Sequence, residues 1–109
     1  MSLLTELHEQ KRSAREQLRL ATRSRCRQIL RALLPAGTEV IVFGSLAKPF
    51  AFNPWSDVDL AFGELPDGLT LDRLAIRLEA ELHRSVDVMM IDRTRLKAAI
   101  LRTGELWTL

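Results

Sequence analysis

A chain of 109 residues, 47% of them apolar and carrying a net charge of +2, has the size and composition of one globular domain. No apolar run approaches the roughly 18 residues that a membrane span needs, and no charged-then-apolar leader opens the chain, so a cytoplasmic address is expected. One cysteine, Cys26, and two histidines, His8 and His83, exclude an internal disulfide and a zinc-type ligand cluster. Cys26 is then expected to be a small buried apolar residue.

The charge is unevenly placed. Residues 1–34 carry eight Lys or Arg against three acids, whereas residues 35–109 carry eight against eleven. Ser2 to Leu34 lacks Gly and Pro, and Leu4, Leu7, Ala14, Leu18, Ala21, Cys26, Ile29, Leu30 and Leu33 recur at helical spacing, which predicts one long helix. Pro35 and Gly37 end it. Its arginines form either a solvated outer face or a docking surface for RNA or an acidic protein. The helix has no interleaved aromatics, so it lacks the stacking platform of a single-strand binder.

Thr38 to Phe43 is apolar on both faces and β-branched, which predicts a buried strand. Gly44 and Ser45 break it. A loop containing Phe50, Phe52 and Trp55 follows; these rings either cover the core or contact a nucleobase or partner. The next strand carries Asp57 and Asp59 on one face, roughly 6 to 7 Å apart. At that distance two carboxylates repel by about 2 to 3 kcal/mol at an effective dielectric near 20. Solvation, arginines or a divalent metal can relieve this.

Thr70 is placed to cap a second helix, whose Leu71, Leu74, Ala75, Leu78 and Leu82 repeat at i, i+3, i+4, i+7 and i+11. Ser85 to Ile91 is a strand-length apolar run interrupted only by Asp87. A last helix is expected from Asp92 or Thr94 to Arg102, with Gly104 as its stop and Glu105 to Leu109 extended.

The ordered set Gly44-Ser45, a ten-residue spacer, Ser56-Asp57-Val58-Asp59-Leu60 and a third acid at Asp87 resembles the minimal nucleotidyltransferase family (MNT) of the polymerase-beta superfold over roughly residues 28–109. The resemblance implies an α/β (α+β) nucleotidyltransferase fold: a small mixed sheet of three central strands packed by helices largely on one side, preceded here by the long helix. The whole of 1–109 would be one domain, with 1–34 a basic helix and 35–109 the catalytic core. It implies ATP as nucleotide substrate and two Mg²⁺ ions at Asp57, Asp59 and Asp87, with Asp87 also a candidate general base. Gly44, Ser45, Lys48 and Ser56 would serve the nucleotide.

The chemistry agrees with these residue types. Magnesium prefers carboxylate, phosphate and water oxygens, and paired ions stabilise both the attacking and the leaving oxygen of phosphoryl transfer. No Walker-type phosphate loop is present. The chain departs from the family pattern at Lys48-Pro49, where arginines in a short helix are usual. Pro49 limits any helix there to one turn or less and places triphosphate affinity in question.

Stand-alone proteins of this size resemble MNT antitoxins, paired with a helical HEPN toxin onto whose tyrosine they transfer AMP. This chain has no tyrosine of its own. Three alternatives stay open. Asp57 could cap a turn and Asp87 pair with Arg84 or Arg93, leaving a scaffold; the protein could neutralise a partner by occlusion; or it could be the catalytic half of a two-chain small-molecule transferase.

Overall fold

The computed structural model describes residues 2–109. Helix α1 spans Leu3–Leu33 and begins where the Ser2 hydroxyl accepts the Thr5 N–H at 3.2 Å. That side-chain cap replaces one of the partners the first turn lacks. Pro35 stops the helix: it forces Leu34 out of helical geometry, and Leu34 is extended at φ −118°, ψ 150°.

Only the second half of α1 contributes buried residues to the core. Cys26, Ile29 and Leu30 are buried, whereas residues 2–15 are exposed throughout. At 1.5 Å per residue that free half is about 20 Å long, and the molecule is correspondingly elongated, 56 Å by 29 Å by 21 Å. The apolar stripe read from the sequence therefore splits. Cys26, Ile29 and Leu30 join the core, while its first members, Leu4 and Leu7, stand in solvent beside Leu3. Burial pushes the Cys26 thiol up to about 12, as befits a structural cysteine.

The sheet has four strands in the order β3-β2-β1-β4. Strand β1 (Glu39–Phe43) pairs antiparallel with β2 (Val58–Phe62), and β2 pairs parallel with β3 (Val86–Met90) across the connecting helix α2 (Leu71–Leu82). Thr70 caps α2 by accepting the Arg73 N–H at 3.2 Å. The three central strands are joined at the edge by β4 (Glu105–Thr108), antiparallel to β1. This pairing makes the extended C-terminal segment part of the sheet.

Strand alternation divides the apolar residues between two faces. Val40, Val42, Leu60, Phe62, Val86 and Trp107 join α1 and α2 in the main core. Phe43 and Ala61 face the other way, onto a smaller cluster with Ile91 and Ile100. That second face is covered by Ile91 and the short helix α3 (Lys97–Thr103). Helix α3 starts later than the sequence pattern suggests: Thr94 Oγ1 accepts the Leu96 N–H at 3.2 Å, closing a side-chain turn in place of the first helical turn. Gly104 stops it, as expected, and a β-carbon there would press on Ile41 and the Ile100 carbonyl. Among the described residues no helix is long and apolar enough to cross a membrane.

Candidate active site

The lightly covered face of the sheet carries the acids. Asp59 in β2 and Asp87 in β3 are register partners in the parallel pair, so their side chains leave the sheet side by side on the same face. Asp57 stands one residue before β2. Its position is set by two ties: the Val58 N–H donates to the Ser85 carbonyl at 3.0 Å, and Arg84 Nη1 donates to the Ser56 carbonyl at 2.8 Å.

Burial, with the negative charges of Asp87 and Asp57 and a hydrogen bond to Asp87 adding to it, pushes the Asp59 carboxyl up to about 6. Among the described residues none of the three aspartates has a basic side chain within 4.0 Å. The cluster is thus short of positive charge, a condition that a proton or a cation relieves.

Gly44 completes the site. It lies at φ +69°, a conformation open to glycine, and a β-carbon on it would overlap the Asp59 carboxylate. Gly44–Ala47 forms a single 3₁₀ turn, as Pro49 requires, and Lys48 leaves it extended at φ −114°, ψ 119°. The expectation of one turn or less holds. A 550 Å³ hollow lined by Pro35, Gly37, Thr38 and Gly63 lies at the opposite end of the strands, so its volume does not mark the chemistry.

A family model described as a nucleotidyltransferase domain matches residues 23–101. The chain belongs to that family. A solved structure described as the crystal structure of the toxin-antitoxin with AMP-PNP resembles it with a TM-score of 0.59 and 21% identity, over 79% of this chain and 73% of that one. At that identity the likeness shows the fold. A comparison with curated proteins finds no match.

The other residues singled out from the sequence divide in the nucleotidyltransferase domain. Ser45 is half-buried within the turn and its carbonyl accepts the Lys48 N–H at 3.2 Å; Lys48 itself is exposed. The Ser56 hydroxyl accepts the Asn53 N–H at 3.0 Å, so it closes the loop ahead of Asp57. The three aromatics have three fates. Phe52 is fully buried beneath Arg84, at 4.4 Å; Phe50 is partly exposed under Arg12, at 3.8 Å; Trp55 is 88% exposed.

Three residues that sequence reasoning did not place at the site support it. Arg19 is buried; it forks onto Glu16 at 2.6 and 2.8 Å and donates to the Leu46 carbonyl at 3.1 Å. Arg23 adds a longer bond to the same carbonyl, 3.4 Å, and a 2.7 Å bond to Glu105. Part of the basic helix therefore clamps the Gly-Ser turn from behind and is no free outer face. Arg84 does not pair with Asp87: its donors go to the Asn53 and Ser56 carbonyls, and burial lowers its pKa against the opposing charge of Asp57. A signal existed for Arg19, which directly follows Leu18 on the apolar stripe. None existed for its acceptor, 27 residues away.

Carboxylates suit a hard divalent ion. Among the described residues no three His, Cys, Asp or Glu side chains are already gathered into a metal-holding group. The strands supply a carboxylate rim lacking positive charge, and magnesium, which keeps water and takes phosphate oxygens, fits such a rim when a nucleotide brings the rest of its shell.

Proposed function

We propose that this chain is a Mg-ATP-dependent nucleotidyltransferase that acts as the antitoxin of a cytoplasmic toxin–antitoxin pair, transferring AMP to a helical HEPN-type toxin. The observation that carries the reading is the pairing of Asp59 with Asp87 on the open face of the sheet against Gly44, with the charges of Asp87 and Asp57 helping burial to push the Asp59 carboxyl up to about 6. The family match and the resemblance to a toxin-antitoxin structure support it.

Asp57 and Asp59, with Asp87, would hold two magnesium ions, which when bound neutralise the triphosphate and the leaving pyrophosphate. Gly44 brings backbone close to the phosphates, and Ser45 offers a hydroxyl donor. An acceptor hydroxyl attacks the α-phosphorus, the bond from that phosphorus to the bridging oxygen breaks, and pyrophosphate leaves. Asp87, exposed at the rim, takes the hydroxyl proton. The chain has no tyrosine, so a tyrosine acceptor must come from the partner.

With α-labelled ATP and magnesium, the co-expressed HEPN partner becomes labelled, and the Asp57→Asn, Asp59→Asn double variant leaves it unlabelled. Equal labelling by that variant sinks the site assignment. A second reading, neutralisation by occlusion, is favoured by the exposed half of α1 with Leu3, Leu4 and Leu7, and by Trp55. Neutralisation retained in full by the double variant selects it.

A further inference from the structure

We infer that the outer edge of β4 is a docking site for an acidic, extended protein segment, which adds a fifth strand to the sheet. The inference concerns the edge opposite β3 and stands whether or not the aspartates turn over.

Among the described residues, strand β4 is paired on one flank only, to β1. Leu109 faces inward, donating to the Thr38 carbonyl at 2.9 Å and accepting the Gly37 N–H at 2.6 Å. By antiparallel alternation, the N–H and C=O groups of Leu106 and Thr108 face outward. The strand contains no Pro or Lys to discourage pairing.

The two sides of this edge differ in chemistry. On the α1 side, a hollow of about 290 Å³ is lined by Arg23, Arg27, Arg31, Ser24, Gln28 and Trp107. Glu105 is the acid available here, and it already accepts Arg23 at 2.7 Å and the Trp107 indole at 3.0 Å. Arg27 and Arg31 have no ion-pair partner among the described residues. Arg27 lies 5.0 Å from the Trp107 ring centre, with its Nε buried and without a hydrogen-bond acceptor. The ring pre-orders this guanidinium, and three arginines face one carboxylate.

On the opposite side, a hollow of about 250 Å³ includes Ile41, Ala61, Leu101 and Leu106, and both leucines are more than half exposed. A strand laid along β4 sends alternate side chains to each side. Acidic residues meet Arg27 and Arg31, and apolar ones meet Leu101 and Leu106. RNA fits less well. Trp107 is only 1% exposed, so no base can stack on it, and a nucleic acid cannot complete the outward amide ladder.

The probe is a capped peptide of about eight residues alternating Glu and Val, long enough to cover the edge. With the whole chain it is expected to bind, and to slow hydrogen exchange at the Leu106 and Thr108 amides. Arg27→Gln with Arg31→Gln is expected to weaken it by about tenfold or more. Should that double variant fail to fold, Arg31→Gln alone and two comparisons on the unaltered chain decide the matter. A Lys/Val peptide, and the Glu/Val peptide N-methylated at alternate residues, are both expected to bind far more weakly. Equal binding by the N-methylated peptide rejects strand addition. Equal binding by the Lys/Val peptide rejects the acidic partner. A short uridine-rich RNA that displaces the Glu/Val peptide at near-physiological salt, with the same arginine dependence, reassigns the surface to nucleic acid.

Discussion

Gly44 and Asp59 are packed so closely that a β-carbon on the glycine would take the place of carboxylate oxygen Oδ2. The Gly-Ser turn and the acid rim are therefore one unit, although 14 residues of chain separate them. In Gly44→Ala the carboxylate has to move, and alanine is held at φ +69°. The conformational cost is modest, about 1 to 2 kcal/mol. The loss of nucleotidyl transfer is expected to be much larger, about 100-fold, because a misplacement near 1 Å already costs that much. Transfer assays beside melting curves separate the two effects; a variant melting slightly lower but transferring normally breaks the coupling.

Much of this unit was legible in the chain. The alternation around Val58 and the strand-length run around Asp87 point to Asp59 and Asp87 on neighbouring strands, and the register pairs them; Asp57, expected on the same strand face, stands one residue before β2 begins. Thr70, Pro35 and Gly104 mark boundaries through local chemistry, so they too can be read locally. The missed features are non-local. A helical wheel shows where Arg19 points, but it does not show that the Leu46 carbonyl of a distant turn waits there for a donor. Periodicity continues through Leu4 and Leu7 although no residue before Arg19 is buried, because a stripe carries no information about what it faces. The aromatic loop was left open between core cover and an outward contact for the same reason: Phe52 covers the core while Phe50 and Trp55 are exposed, a division set by what lies above each ring.

Arg19 is the test of the clamp behind the turn. Its side chain is 8% exposed and its partner Glu16 18%, so removing one member leaves an uncompensated charge in a largely dry place. Arg19→Met is expected to destabilise the fold by about 2 to 4 kcal/mol, at or just below the range for breaking a buried pair. It also leaves the Leu46 carbonyl with only the longer Arg23 bond, and Glu16, which accepts the Phe50 N–H at 3.0 Å, loses the guanidinium that orients it. The double change Arg19→Met, Glu16→Met should recover part of the loss, since it leaves no lone charge. Denaturant midpoints of the three proteins check this; if the single variant is as stable as the parent, the clamp contributes nothing.

Two carboxyls give the stability profile opposite slopes. Asp59 is raised to about 6 by burial and by Asp87 and Asp57, so its contribution is full below its ordinary value near 3.8 and is lost as pH rises through about 6. Glu16 is lowered to about 2 by the Arg19 hydrogen bonds and the Phe50 amide; its contribution is present above about 4.5 and is lost as pH falls toward 2. In a chelator, melting temperature should therefore peak near pH 4 to 4.5, between the ordinary values of the two groups, and decline toward neutrality. Asp59→Asn should flatten the neutral side of that profile and melt higher than the parent at pH 7. Magnesium with a non-hydrolysable ATP analogue should raise the parent's melting temperature more at pH 7.5 than at pH 5, where protons compete for the same carboxylates. A parent that melts higher at pH 7 than at pH 5 in chelator contradicts the assignment of Asp59 as the strained member.

Arg84 binds the loop ahead of Asp57 to the start of β3, through bonds of 3.3 and 2.8 Å to the Asn53 and Ser56 carbonyls and a stack on Phe52. The Asn53 carbonyl also accepts the Ser56 N–H at 3.1 Å, so the guanidinium ties a closed turn, and with it Asp57, to the start of β3 beside the Val58 to Ser85 bond. Lysine keeps the charge but has neither the planar fork nor the stacking face. Arg84→Lys is expected to cost about 1 to 3 kcal/mol, the range for charged hydrogen bonds lost on partly buried acceptors. A positioning role predicts more than lost stability. At a temperature where the variant is fully folded, kcat should fall while the KM for ATP changes little, and the magnesium concentration for half-maximal rate should rise, because Asp57 is displaced relative to Asp59. If the folded variant shows unchanged kcat and magnesium dependence, Arg84 supports the fold alone and Asp57 is held by the Val58 to Ser85 bond.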